Sequence, residues 1–393
     1  MGATKSVTKE IIKGKDIIIY GAGACGEIAD LGLKEWGGFR SILFCDKKKN
    51  GEEIDGSNTI FPEMLSEYPD AIVILASVNY FYEMLQECQR QRIQNIYNME
   101  EIFLSDLPYE KLSYRAKEVY FNGYKYQDVI AHQPDKNYIS IGKVELAVTE
   151  ACTLNCRDCC NLMPYYSHPK HMDVGVTINS VNMLLTVVDH ISEMRILGGE
   201  PFLNPDIWQI IDCFYGDERI GMISVYTNGT IVPNEKTLES LQHKKVVVHI
   251  SDYRIRQKEI DVLISTLKEI GIRFFLRRYD RWNNLGEMSR KNYTKSQVEE
   301  IFQKCIARNC YTIKGDRLYR CPRSAHGTAA GLLPEFTNGN EYLSLERAPD
   351  RDALTDYLYS AKPIHACAYC TGTPDEYVDA GVQQPRVSAY RSK

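Results

Sequence analysis

The sequence predicts an α/β protein in three parts. A small doubly wound parallel sheet comes first, then a complete or partial (β/α) barrel, then a cysteine-rich extension. Short apolar strands alternate with amphipathic helices over residues 14–97 and again from Lys143 to about residue 290. In the second run one strand and one helix recur about every 25–40 residues, the spacing of barrel units. After about residue 300 the alternation stops, and cysteines, the turn Lys314-Gly315-Asp316 and Gly/Pro-rich segments dominate. A core without periodic apolar faces needs another staple.

The chain has 393 residues, enough for two or three domains of roughly 150 residues. Apolar residues make up 44% and charged residues 25%, the balance of a soluble globular protein. The net charge of −5 speaks against a nucleic-acid partner, which asks for a basic excess. The longest apolar runs, such as Ala71 to Val78, are too short to span a bilayer, and no signal peptide opens the chain. A cytoplasmic protein without a membrane partner is expected. Thirteen cysteines are too few for a disulfide scaffold, and disulfides are rare in the cytosol, so these are expected to be thiols or metal ligands.

Residues 1–13 are polar and are expected to be a disordered terminus. Met1 to Ser6 formally fits a myristoylation pattern, but without a polybasic or second anchor a frayed end is the simpler reading. The first domain covers 14–104. Its expected strands are Asp16–Tyr20, Ser41–Cys45, Ala71–Ser77 and Asn95–Tyr97, with helices near 24–36, 62–68 and 81–92. A polar, Tyr-rich connector with some helical character follows over 105–140. The barrel covers 141–295, with strands at Val144–Val148, Arg195–Leu197, Met222–Tyr226, Val246–Ile250 and Arg273–Leu276. Helices are expected at Ile178–Ser192, Asp206–Tyr215, Glu235–Gln242 and Glu259–Ile270. The cysteine-rich domain covers 296–393.

In the first domain Gly21, Gly23 and Gly26 lie between a strand and a helix, and Asp46 ends the next strand. That is the context of a dinucleotide fingerprint. The domain is only half a dinucleotide fold, and it resembles the small Rossmann-like domains attached to sugar-modifying and polysaccharide-biosynthesis proteins. A bound nucleotide, NAD among the options, and a scaffold or docking role both remain open. Gly23 and Gly26 are expected to permit close helix–strand packing in either case.

Cys25, Cys45, Cys88 and Cys213 stand alone and read as packed or surface thiols. Cys152, Cys156, Cys159 and Cys160 form one group, just after the first barrel strand. Three thiolates spaced x3 and x2 can wrap one face of a 4Fe–4S cluster and leave one iron without a protein ligand. Zinc is the competing reading, but Cys160 is poorly placed to be its fourth ligand.

Cys-x3-Cys-x2-Cys in this place resembles the radical S-adenosylmethionine (SAM) superfamily. Gly198-Gly199-Glu200-Pro201 after the second strand looks like the family's GGEP motif, which contacts the SAM amino group. Thr227-Asn228-Gly229 after the third looks like its TNG segment near the ribose. The resemblance spans roughly residues 140–290 and implies a partial (β/α)6 TIM-type barrel with ligands at the C-terminal ends of its strands. Asp158 departs from the pattern, since the family often has an aromatic residue there against the adenine. Cys160 is an extra thiol, either a catalytic hydrogen-atom donor or a packed one.

Cys305, Cys310, Cys321, Cys367 and Cys370 form the second group. Their arrangement is similar to the SPASM/twitch extensions that hold auxiliary 4Fe–4S clusters, in the single-cluster twitch-like form. Four would ligate and one would be spare, Cys305 or Cys310 first. Zinc is again the alternative.

Further candidates end the later strands. Ser251 and Asp252, after His249 and before Tyr253, could bind SAM or substrate or simply cap their loop. Arg277 could pair with a carboxylate or phosphate. Trp282 to Gly286 could line the pocket, and Tyr165, Tyr166 or His168 could touch substrate or pack over the cluster.

The resemblance implies reduction by flavodoxin or ferredoxin, reductive cleavage of SAM to a 5′-deoxyadenosyl radical, and hydrogen abstraction from the substrate. With the Rossmann-like domain, the favoured reading is an oxidoreductase, epimerase or lyase on a sugar, aminocyclitol or nucleotide-linked sugar. A SPASM-type peptide-modifying enzyme is the runner-up, and an iron–sulfur redox sensor is the non-enzymatic alternative.

Overall fold

A computed structural model describes residues 4–385 apart from 50, 132–137, 306, 309, 337–339 and 373–374. The chain divides into two compact units, Met1–Tyr138 and Ile139–Lys393.

In the first unit seven strands form one sheet. Their order is Lys5–Ser6, Ile96–Asn98, Ile72–Leu75, Asp16–Tyr20, Ser41–Cys45, Ser57–Ile60, Glu53–Ile54. All neighbours are parallel except the last pair. The central strands are unbroken apolar runs, and Ile17, Ile18, Ile19, Val73, Ile74 and Leu75 are fully buried. A parallel sheet covered on both faces selects such runs.

Two expectations are corrected here. Among the residues read as a disordered terminus, Lys5–Ser6 pairs with Ile96–Asn98, and Lys9–Ile12 is a helical turn. Val7 and Ile12 are fully buried, so two apolar side chains in a polar stretch anchor the sheet edge. Gly2 of the myristoylation pattern lies outside the described residues. The second is 105–140, which shows the helical character expected of it but through Tyr138 belongs to the first unit rather than forming a separate connector. Tyr114–Phe121 and Tyr124–Ala131 are helices whose Tyr120 and Tyr126 are buried in the first unit. The Tyr126 hydroxyl donates to the Leu75 carbonyl and accepts from the Met99 N–H, and its ring lies 5.0 Å from that of Phe103. Tyr126→Phe orphans both backbone groups, so a loss of about 1–3 kcal/mol is expected in urea unfolding followed by circular dichroism.

The second unit is built on a nine-stranded sheet. Five parallel strands follow in chain succession: Val144–Ala147, His190–Leu197, Ile220–Thr227, Val246–Asp252 and Phe274–Arg278. They match the five strands expected over this run, with His190–Leu197 starting five residues earlier than foreseen. The sixth parallel strand, Tyr311–Lys314, comes from the extension and joins beside Val144–Ala147, at the other edge of the five. It turns at Gly315-Asp316 into Arg317–Tyr319, which Tyr342–Ser344 then flanks. Tyr311, Ile313 and Leu318 belong to the same buried core as Leu146, Ile196 and Val248. The extension therefore shares the sheet and core of the five-strand run, and 296–393 is not a separate body.

The first helix of this unit runs Val174–Leu185, not Ile178–Ser192. Asp173 caps it by accepting from the Val176 N–H at 3.1 Å, which starts it early. From His190 the chain is already strand. A run of apolar residues does not by itself show where a buried helix gives way to a buried strand.

Candidate functional site

The three-cysteine loop leaves the end of Val144–Ala147 and is held from several sides. Glu150 N–H donates to Lys170 O at 2.9 Å, and the buried Glu150 carboxylate pairs with Lys314 at 2.6 Å. Cys152, Cys156 and Cys159 line one cavity of about 430 Å³ together with Gly198, Gly199, Thr227, Asn228 and Ser251. Burial pushes the Cys152 thiol up to about 12 and the Cys156 thiol up to about 11, and it raises Cys159 as well. Such thiols are not activated nucleophiles. They give up their protons when a metal compensates the charge, so the donor set fits an iron–sulfur cluster. Among the described residues no three His, Cys, Asp or Glu side chains converge on a position for a single metal ion.

The two glycines after the second strand have an unexpected partner. A Cβ on Gly198 would sit 2.3 Å from the Thr149 carbonyl oxygen, and one on Gly199 would sit 2.0 Å from that of Ala151. Gly199 N–H donates to Thr149 O at 2.9 Å and Glu200 N–H to Ala151 O at 2.8 Å. The pair thus lets the cysteine loop lie directly on the neighbouring strand end. Glu200 is fully buried and does not line the cavity. Its carboxylate accepts from Thr227 Oγ1 at 2.7 Å, Asn228 N–H at 2.8 Å and Phe202 N–H at 3.2 Å. Burial pushes that carboxyl up to about 7 against the pull of these donors. Glu200 therefore ties the GGEP segment to the TNG segment. Asn228 continues the tie, with its Nδ2 donating to Thr153 Oγ1 at 3.0 Å and lying 3.5 Å from Cys152 Sγ.

The remaining candidates divide. Ser251, Trp282, Asn283 and Leu285 line the cavity, as do Tyr253 and Tyr279. Pro201, Asp252 and Arg277 do not. Asp252 is fully buried, caps its own loop through Arg254 N–H at 2.7 Å and pairs with Arg278 at 3.0 Å. The Arg277 guanidinium lies 5.2 Å over the Tyr279 ring. The Tyr166 hydroxyl meets His326 Nδ1 at 2.9 Å, Tyr165 packs on the Leu162 and Met288 core, and His168 is exposed. Cys160 lines the cavity beside the ligand run, and burial raises its thiol far above the ordinary range. Asp158 lines it too and pairs with Arg157 at 2.9 Å. Tyr253, Tyr279 and Trp282 give the cavity an aromatic side, the first and last meeting edge-on at 5.1 Å.

Sequence reading missed the polar floor. Glu145, Arg195 and Tyr226 line the same cavity. Arg195 is 2.7 Å from Glu193, 4.0 Å from Glu145 and 4.9 Å from the Tyr226 ring, on which His249 stacks at 4.5 Å. Burial raises the Glu145 carboxyl and pushes His249 down to about 3, so that the imidazole is neutral. Burial works against the Glu193 carboxylate too, but Arg195 outweighs it. The signal was there in Glu193 and Arg195, which alternate with apolar Met194 and Ile196 and so share one face of the strand.

The late cysteines also divide. Cys305, Cys321, Cys367 and Cys370 line a second, tighter cavity of about 40 Å³ with Met288, Phe302 and Arg323. Burial raises the first three of these thiols, Cys367 to about 12, and Gly372 N–H points to Cys370 Sγ at 3.4 Å. Cys310 is outside that set. It precedes the strand Tyr311–Lys314, and its neighbours are Glu145 and Lys143. Arg323 is buried, donates to Gly286 O at 2.8 Å, and also acts on Cys159 and Cys160.

In the first unit a cavity of about 910 Å³ is lined by Gly21, Gly23, Asp46, Lys49, Asp30 and Arg115 among others. A Cβ on Gly26 would lie 2.1 Å from the Gly21 carbonyl, the close packing expected. Gly23 has no such neighbour within 4 Å, so its packing role is not borne out. Asp46 closes the glycine loop by accepting from Ala22 N–H at 3.0 Å.

No family model matches the chain, and no curated protein matches it. Solved structures do resemble part of it. One is native anSMEcpe with bound AdoMet and Cp18Cys peptide, at 12% identity and TM-score 0.38, covering 57% of this chain and 84% of that one. A second is Streptococcus suis SuiB bound to precursor peptide SuiA, at 15% and 0.31, covering 57% and 49%. A third is BtrN in complex with AdoMet and 2-DOIA, at 12% and 0.36, covering 61% and 98%. Each is a distant, partial likeness. No helix among the described residues is long and apolar enough to cross a membrane.

Proposed function

We propose that the second unit is a radical SAM enzyme with one auxiliary iron–sulfur cluster. The observation that carries this reading is the placement of three thiols on one loop, Cys156 buried and Cys152 and Cys159 half-buried, locked to the GGEP and TNG segments and opening on a single cavity. Cys152, Cys156 and Cys159 would hold a 4Fe–4S cluster. Such a cluster would supply the electron for reductive cleavage of bound SAM to methionine and a 5′-deoxyadenosyl radical able to take hydrogen from a substrate C–H bond. The chain's own residues orient and enclose. Ser251 would offer a polar group to the ribose or methionine, Thr227 and Asn228 line the cavity while their side chains stay tied to Glu200 and Thr153, and the aromatic wall would exclude water. The direct test is 5′-deoxyadenosine formation by the purified, reconstituted protein with reductant and SAM. None above background, with iron–sulfur content intact, overturns the reading.

Tyr253, Tyr279 and Trp282 are the surface for adenine in place of an aromatic residue at 158. Trp282→Ala is expected to weaken SAM binding roughly tenfold or more by calorimetry, the size of one lost stacking partner.

Cys305, Cys321, Cys367 and Cys370 would hold the auxiliary cluster, with Cys310 spare. Iron analysis should then find about eight irons per chain. Cys310→Ser is expected to keep that content and Cys370→Ser to fall toward about half of it.

The substrate reading is a sugar, aminocyclitol or nucleotide-linked sugar, oxidised, epimerised or dehydrated. Its support is the floor of Glu145, Arg195 and Tyr226, which presents hydrogen-bonding groups to a hydroxyl-rich molecule. The glycine-loop cavity of the first unit is the place for a nucleotide. Flavodoxin or ferredoxin is the proposed reductant.

A further inference from the structure

Residues 381–384 return to the three-cysteine loop from the far end of the chain. Arg157 N–H donates to Val382 O at 2.8 Å and Gln384 N–H to Asn155 O at 2.9 Å. Asn155 Nδ2 also donates to Gln384 O. Between these ties sits the Gln383 side chain. Its Oε1 accepts from Asn155 N–H at 2.7 Å, which fixes the amide so that Nε2 donates to Cys156 Sγ at 3.1 Å and to Gly381 O at 2.8 Å. Cys156 is itself buried. This contact is shorter than the 3.5 Å of Asn228 on Cys152 and the 3.4 Å of Gly372 on Cys370.

We propose that Gln383 is a positioning residue that raises the reduction potential of the cluster on Cys152, Cys156 and Cys159. This rests on the radical SAM reading. Reduction adds negative charge to the cluster and its thiolates, and an N–H aimed at a thiolate sulfur favours the more negative form. The strap also covers that ligand.

EPR-monitored redox titration of the full-length reconstituted protein tests this, with the three-cysteine cluster identified as the signal that changes when SAM is added. Gln383→Ala is expected to shift that midpoint to lower potential. In Gln383→Glu the carboxylate still accepts from Asn155 N–H but donates nothing to Cys156, so the same downward shift is expected with the strap docked. The auxiliary signal should not move in either variant. An unchanged midpoint in both variants overturns the proposal. So does loss of the SAM-responsive cluster in both, which would make Gln383 a brace of the ligand loop alone. A wild-type protein with no SAM-responsive signal would instead sink the family reading.

Discussion

Cys156→Ala is expected to reduce 5′-deoxyadenosine formation from SAM to background. The loss should exceed the roughly 10–100-fold typical of removing an outer partner of a metal site. The thiol belongs to a set of three on one loop, and burial would keep it protonated without a metal. With one of three ligands gone, only two of the loop's ligand thiols remain to hold the cluster. Cys160 lines the same cavity but is directly adjacent to Cys159 in the chain, so it does not restore the spacing of the set. Iron content should fall with activity, toward the share held by the auxiliary site. Cys213→Ala is the control. That thiol is exposed on a helix away from both cavities, so its loss should leave iron and product unchanged. Full cleavage by Cys156→Ala would remove the cluster assignment.

Gly199→Ala is expected to have nearly as large an effect without replacing a ligand, although its methyl would also lie 3.0 Å from the Cys152 Cβ. The added methyl would meet the Ala151 carbonyl oxygen at 2.0 Å, and that oxygen also accepts from Glu200 N–H. The backbone on one side must move. Movement of Ala151 displaces Cys152, the next residue, whereas movement of Gly199 pulls at the three hydrogen bonds of the Glu200 carboxylate. A loss on the order of 2–4 kcal/mol is expected in thermal or denaturant unfolding, with poor cluster retention after reconstitution. Gly216→Ala is the contrast, since a methyl added there would meet nothing within 4 Å. Equal stability and iron content in Gly199→Ala and Gly216→Ala would show that the close approach of the two loops is not required.

The two cases differ in how much the sequence revealed. Cys152, Cys156 and Cys159 are readable because ligand chemistry needs particular residues at particular spacings. Gly198 and Gly199 are readable as a motif, but the physical reason a sequence suggests for them is close approach of a ligand. In the structure the atoms that fill their missing side chains are Thr149 and Ala151, 48 or more residues earlier. Glu200 shows the same displacement, because its carboxylate is spent on Thr227, Asn228 and Phe202. Asp252 and Arg277 end strands as candidates for ligand contact should, yet one caps its loop and the other lies on Tyr279.

Element type is legible wherever a short-range pattern decides it. The unbroken apolar runs at Asp16–Tyr20 and Ile72–Leu75 are parallel strands, and the turn at Gly315-Asp316 joins a hairpin. The N-terminal residues escape such a reading because their apolar content is sparse, and the Tyr-rich stretch shows its helical character in the sequence but not its burial. Both outcomes depend on where Val7, Ile12, Tyr120 and Tyr126 land.

By itself the sequence determined the α/β alternation, the two groups of cysteines and the order of the three motifs, since each is a matter of residue type at short spacing. Tertiary structure alone decided that Tyr311–Lys314 pairs with Val144–Ala147, that Cys310 leaves the late group, and that Gln383 reaches Cys156 across 227 positions. No local pattern carries those facts. Strand partners, cavity membership and a hydrogen bond to a distant sulfur are set by which buried surfaces and polar groups the folded chain must satisfy together.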